Sequence, residues 1–193
     1  MGGHRSTYTL DADQVENLWR AFHFSELIGL PLQSPATIVW SKTRHGHGDV
    51  PQAFIRFKER THHWLARLGV PWAAVFAHEN GQRHGLHTHL LLHLPGLLHE
   101  PFAAEFFGWV GGKRKAAVQM GNSSGNGPRG WLRYISKAIN PDDHDCRIVA
   151  KQYGIVPSEA GQGWLNFKRA GTTENIGWAA RARHDLRNLS KAA

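Results

Sequence analysis

Apolar residues along this chain alternate between two periods. Val15, Leu18, Trp19 and Phe22 recur at helical spacing behind Asp11 and Asp13, either of which can cap the helix. Pro31 and Pro35 end that region. ATIVWSKT (36–43) is short and β-branched, as a strand prefers. Pro51 suits the first turn of a second helix, which Phe54, Phe57, Lys58, Trp64, Leu65 and Leu68 continue and Gly69 stops. Residues 71–79 read as a second strand and 86–94 as a third. The turn-rich NGQRHG between them predicts an antiparallel hairpin. Residues 101–110 look helical, and 113–120 read as a fourth strand with a basic start. The Gly/Ser/Asn-rich stretch 121–130 is a loop, and WLRYISKAI (131–139) is a short helix. Residues 140–175 show no clear period. A final basic helix covers about 176–191, with Ala179, Ala180, Ala182, Leu186 and Leu189 as its inner face. The order predicts one α+β domain over 1–193, with a central, largely antiparallel sheet flanked by helices.

Composition adds a partner class. The chain has 193 residues, 41% hydrophobic, enough for a real core. Lys+Arg number 23 against 15 Asp+Glu, a net charge of +8 that favours a polyanion, nucleic acid first. A soluble basic protein without such a partner has the same composition. The single cysteine, Cys146, excludes an intrachain disulfide and a Cys-based zinc knuckle, and fits a reducing cytoplasm. No apolar signal-peptide core follows Met1. The apolar stretch near Leu90–Leu98 is interrupted by His93 and Pro95 and is too short to span a bilayer, so no membrane partner is expected. No P-loop is present, so no helicase domain is expected and duplex unwinding would fall to a partner helicase.

The candidate chemistry lies in the hairpin. His87 and His89 are two apart on a strand, so their side chains share a face. Burying two imidazoles there is costly unless they are hydrogen-bonded or ligate a cation. With 14 histidines a chance H-x-H is expected, and His45-Gly46-His47, in a glycine-flanked loop, fits that description. The third ligand depends on register. If Glu79 lies opposite His87, Ala77 lies opposite His89 and leaves room for an ion; a one-residue slip would present His78 instead. His84 and His93 are lesser candidates. Two nitrogens and one oxygen suit a divalent ion with open positions, Mn²⁺ ahead of Mg²⁺. HExxH is absent.

Of three tyrosines, Tyr8 falls in a terminus expected to fray, Tyr153 reads as structural, and Tyr134 follows a flexible loop. Lys137 is three residues on, which would place phenol and ammonium on one helix face. Lys113, Arg114, Lys115, Arg129 and Arg133 flank this region and can track phosphates. Trp131 can stack on a base or belong to the core. Arg181, Arg183, Arg187 and Lys191 on the last helix either contact DNA or keep the surface soluble.

Together these residues resemble the HUH endonuclease superfamily, in its rolling-circle replication initiator (Rep) branch. His87 and His89 match the histidine pair, Glu79 the third metal ligand, and Tyr134 with Lys137 the Y-x-x-K nucleophile motif. The likeness runs over roughly 36–139. It departs at Thr88, where the family usually has a large apolar residue, and in lacking a second tyrosine near Tyr134. The resemblance implies metal-dependent, site-specific nicking and rejoining of single-stranded DNA or an origin hairpin through a 5′-phosphotyrosine. Two other readings stay open: a non-catalytic basic DNA-binding protein, and a single-strand transposase or mobilisation nuclease with the same chemistry.

Overall fold

The β2–β3 hairpin is the centre of the molecule. β2 (Ala74–Gly81) and β3 (Gly85–Leu92) pair antiparallel along their whole lengths. In this computed structural model, which describes residues 7–46, 48–81, 85–121, 127–159 and 162–192, three further strands extend the sheet: β1 (Ser34–Val39), β4 (Val118–Met120) and β5 (Ala170–Thr172). The order is β4-β1-β3-β2-β5 and every neighbouring pair is antiparallel. The described helices are α1 (Ala12–Leu27), α2 (Val50–Arg67), α3 (His99–Trp109), α4 (Gly127–Ile135), α5 (His144–Tyr153) and α6 (Trp178–Ala192). The fold is therefore α+β with an antiparallel sheet flanked by helices, as the hydrophobic pattern predicts. His47, His84 and the loop residues 122–126 lie outside the described residues.

Alternation in the two central strands builds a core on each face of the sheet. Val75, Ala77, Leu91 and Ala170 pack against α1, α4 and α5 through Leu18, Phe22, Leu132, Ile135 and Val149. Ile38, Phe76, Leu90 and Leu92 pack against α2 and α3 through Phe54, Phe57, Phe102 and Phe106. Asp11 caps α1 in a reciprocal capping box with Gln14. Pro51 sits in the first turn of α2, and Gly69, at φ 69°, follows its end.

Several expectations fail in detail. The first strand starts two residues earlier and stops at Val39, because Trp40–Lys42 forms a 3₁₀ turn that buries the Trp40 indole. Of 113–120 only the last three residues are strand, since Lys115–Ala117 is another 3₁₀ turn. The unread stretch 140–175 contains α5, capped by Asp143, and the edge strand β5. The expected inner face of the last helix is not inner. Ala179, Leu186 and Leu189 are exposed, while Ala180 and Ala182 are partly buried. The first turns of α6 meet the body, where Arg181 donates to Ile176 O and Asn17 Oδ1 and His184 meets Phe24 edge-on. Tyr8 is not in a frayed end, because Thr7 and Leu165 bridge antiparallel. Tyr153 is structural as expected, stacked on Trp19 with ring centroids 4.5 Å apart.

The α2-facing side of the hairpin carries one polar cluster. Thr88 Oγ1 accepts the Trp40 Nε1–H at 2.7 Å, which leaves its hydroxyl proton for His78 Nδ1, 2.6 Å away. Burial, then the charges of Arg169 and Lys58, push His78 down to about 3, so it stays neutral. All three groups are buried. Thr88→Val should therefore lower unfolding free energy by roughly 2–4 kcal/mol, because an indole N–H and an imidazole nitrogen both lose their partner. Urea denaturation checks this, with Thr88→Ser expected to retain most of the stability.

Candidate metal centre and nucleophile

Register decides which side chains meet. Glu79 lies opposite His87 and Ala77 opposite His89, while Thr37 of β1 flanks His89 on its other side. Directly opposed residues share a face, so Glu79, His87, His89 and Thr37 line the side of the sheet that α4 covers. His78 points to the opposite face and takes no part. His93 lies beyond the end of β3, where its Nδ1 meets Pro31 O at 3.1 Å.

The three side chains form a compact donor set. One carboxylate oxygen and one ring nitrogen from each histidine lie within 4.8 Å of one another, and all three residues are buried. His87 Nδ1 is 2.9 Å from the Gly85 carbonyl, which can only accept, so that nitrogen carries the proton. Its Nε2 then faces Glu79 Oε2 at 3.1 Å. His89 Nδ1 is 3.0 Å from Thr37 Oγ1. Its Nε2 is buried without a hydrogen-bond partner, although the same Glu79 Oε2 is only 3.4 Å away. Burial pushes His89 down to about 4, more than offsetting the attraction of Glu79, so the ring is neutral at pH 7. Two imidazoles held at their Nδ1 atoms, with their Nε2 atoms converging on a carboxylate, match the way metal-ligating histidines are oriented by outer partners. The orphaned His89 Nε2 is the group that a cation would satisfy.

Glu79 stays ionised. Burial opposes its charge most strongly, but its contacts with His87 and His89 and the positive charge of Lys137 outweigh burial and hold it well below the usual carboxylate range. Lys137 Nζ donates to both carboxylate oxygens, at 2.6 and 2.8 Å. Lys137 is not on the Tyr134 helix. α4 ends at Ile135, and a turn follows, with Lys137 N–H reaching Tyr134 O at 3.3 Å. Leu10 and Ile139 bridge and draw the chain out of the helix. The turn still brings Nζ within 3.6 Å of the Tyr134 ring centroid, so ammonium, phenol ring and carboxylate adjoin.

α4 sorts its residues by face. Leu132 and Ile135 are buried in the core. Trp131 and Tyr134 stack at 5.1 Å over the site, and both rings meet His89 edge-on, at 5.6 and 5.1 Å. Trp131 Nε1–H donates to Leu90 O at 2.9 Å, so this ring is partly a packing residue. Tyr134 is 43% exposed at the mouth of the site. Arg129 lies 4.0 Å from Glu26, and Arg133 donates to Tyr153 O at 2.9 Å, so both are engaged on the outer side of α4. Lys113, Arg114 and Lys115 are exposed, before β4, at the sheet end that holds Glu79 and His87; Lys113 N–H donates to Lys42 O there. Sequence reasoning did not single out Thr37 or the Gly85 carbonyl, whose partners follow only from the three-strand register.

No family model matches the chain, and no curated protein matches it. Among solved structures, it is similar at 13% identity to the N-terminal nuclease domain of non-structural protein 1 of minute virus of mice, with a TM-score of 0.27. The likeness covers 83% of this chain and 60% of that one, and that domain is described as coordinating Zn²⁺ in its active-site pocket and recognising DNA at the origin of replication. Among the described residues no helix is long and apolar enough to cross a membrane.

The buried, neutral His89 has a consequence for stability. The unfolded ring takes a proton near 6.5, whereas the folded one resists it down to about 4. The unfolded chain therefore binds more protons in that window, so stability falls as pH drops from about 6.5 to about 4. His78 acts in the same direction. Metal-free protein should thus unfold at lower urea concentration at pH 5 than at pH 7, and His89→Gln should make this pH slope shallower without abolishing it. An unchanged slope would mean that His89 is not neutral in the folded state.

Proposed function

We propose that this protein is a metal-dependent nuclease that cuts single-stranded DNA by attack of Tyr134 and remains joined to one product. The observation that carries the reading is the convergence of Glu79, His87 and His89, with His89 Nε2 buried and unpartnered, beneath a half-exposed tyrosine. The donor set fits a divalent cation, Mn²⁺ ahead of Mg²⁺, which when bound would act as a Lewis acid on the scissile phosphate.

The remaining steps belong to the chain. The Tyr134 oxygen attacks phosphorus, forming a phenolic P–O bond as the bond to the 3′ oxygen breaks. The phenol proton passes to solvent, and the leaving oxygen takes up one as the 3′-hydroxyl. The product is a 5′-phosphotyrosine. One phosphoester replaces another, so the strand can be rejoined by the reverse attack without ATP. Lys137, held by Glu79 beside the Tyr134 ring, offers its charge to the phosphate. Trp131 fixes the tyrosine ring by stacking. Lys113, Arg114 and Lys115 offer charge to the backbone of the strand at the same end of the sheet. The free 3′-hydroxyl suits priming of rolling-circle replication from an origin hairpin, with a partner helicase opening the duplex.

The test is a denaturing gel of the protein with a single-stranded DNA pool that includes origin-like hairpins. A covalent adduct is expected with Mn²⁺, absent with chelator and absent in Tyr134→Phe, which should still bind DNA. An adduct formed by Tyr134→Phe would overturn the nucleophile. No adduct from folded, DNA-binding protein would favour a non-catalytic binder.

A further inference from the structure

Trp164, in the segment following α5, and Tyr8, in the segment before α1, form a pair of aromatic rings that the chemistry above does not use. Trp164 is 66% exposed and Tyr8 44% exposed, and their rings meet edge to face with centroids 5.7 Å apart. The backbone beneath them is tightly held. Thr7 and Leu165 exchange hydrogen bonds of 2.9 and 3.0 Å, and Gly163 N–H donates to Tyr8 O at 3.1 Å. The Asn80 side-chain amide donates to Trp164 O at 3.1 Å. The buried Arg169 guanidinium donates to the carbonyls of Thr7, Gly163 and His78. Gly163, at φ 148°, lies so close to β2 that a Cβ would run into Asn80 O, so only glycine permits this approach.

Position and charge say what such rings would meet. Asn80 follows Glu79 in β2, which puts the Trp164 segment at the end of the hairpin that holds the donor set. The charge there favours an anion. Glu79 is faced by Lys137 at 2.6 Å and feels the buried charge of Arg169, and Lys113, Arg114 and Lys115 lie at the same end of the sheet across β1. Large exposed rings on a fixed base, at the same end of the sheet as an exposed basic run, are the two components of single-strand recognition, because every base offers a π-face and every linkage a phosphate.

We infer that Trp164, braced by Tyr8, is a stacking platform for a base of single-stranded DNA next to the cleaved phosphate. This rests on the nuclease reading for the identity of the strand. Stacking of this kind is tolerant of sequence, so the platform adds affinity and direction to the strand, while base identity would be read elsewhere. It also gives Arg169 a reason to be buried with carbonyl partners: it locks the Thr7 and Gly163 segments under the rings.

Fluorescence anisotropy with a labelled single-stranded oligonucleotide and a blunt duplex, on the full chain, tests this. Trp164→Ala is expected to weaken single-strand binding about tenfold and duplex binding hardly at all, with Trp164→Phe recovering most of the loss. The Tyr134 adduct assay runs on the same DNA. Unchanged single-strand affinity in Trp164→Ala, with adduct still formed by the wild type, overturns the platform and leaves the nuclease reading intact. A tenfold loss rescued by phenylalanine, with no adduct from the wild type, keeps the stacking of a single strand on Trp164 and overturns the cleaved phosphate beside it together with the nuclease reading. Equal losses on both DNAs overturn the platform, because a stacking ring has no purchase on paired bases.

Discussion

Pairing Glu79 with His87 puts a carboxylate and two imidazoles on one face of a buried sheet, and everything else in the site follows from that register. A slip of one residue would turn His78 towards α4 and send Glu79 among Phe54, Phe76 and Phe167, where its charge would have no partner. The register is held from both sides. The α2-facing core takes Phe76 and Leu90, and the α4-facing core takes Val75, Ala77 and Leu91, so neither strand can shift without exposing one set and burying the wrong one. Thr88 adds a polar lock. Its hydroxyl joins Trp40 to His78, which explains why a small β-branched alcohol stands between the two histidines.

The site is assembled around an ionised carboxylate that burial alone would neutralise. Glu79 and Lys137 form a bidentate, nearly dry ion pair between β2 and the turn after α4. Such a pair contributes little net stability, because desolvating both charges consumes most of the Coulombic gain. Its value is positional. It ties the tyrosine-bearing segment to the hairpin and sets an ammonium beside the phenol ring. The two histidines are oriented independently of it, by the Gly85 carbonyl and the Thr37 hydroxyl, so their Nε2 atoms point inward with or without a charge between them.

The parts legible in the sequence are those where one short-range signal coincides with burial. The His87/His89 strand, the Asp11 cap and Pro51 at the start of α2 are of this kind. The failures have physical causes. Leu186 and Leu189 do keep helical spacing with Ala182, but among the described residues no element covers them and both are exposed. Lys137 keeps the spacing of a helix neighbour to Tyr134, yet the Leu10–Ile139 bridge unwinds the chain between them; the proximity survives by a different route. α5 had usable signals in Asp143 and Gly154, its N-cap and left-handed C-cap. β5 had none, since its three residues, Ala170–Thr172, become a strand only by pairing with β2. Trp164 was equally silent, because its exposure and its nearness to Asn80 exist only in three dimensions.

Anomalous diffraction from crystals grown with Mn²⁺ would show whether Glu79, His87 and His89 hold a cation. One strong peak is expected, bounded by a Glu79 carboxylate oxygen, His87 Nε2 and His89 Nε2, beneath the Tyr134 ring. A well-ordered site without density there, with His89 Nε2 still unpartnered or hydrogen-bonded to Glu79, would contradict that expectation.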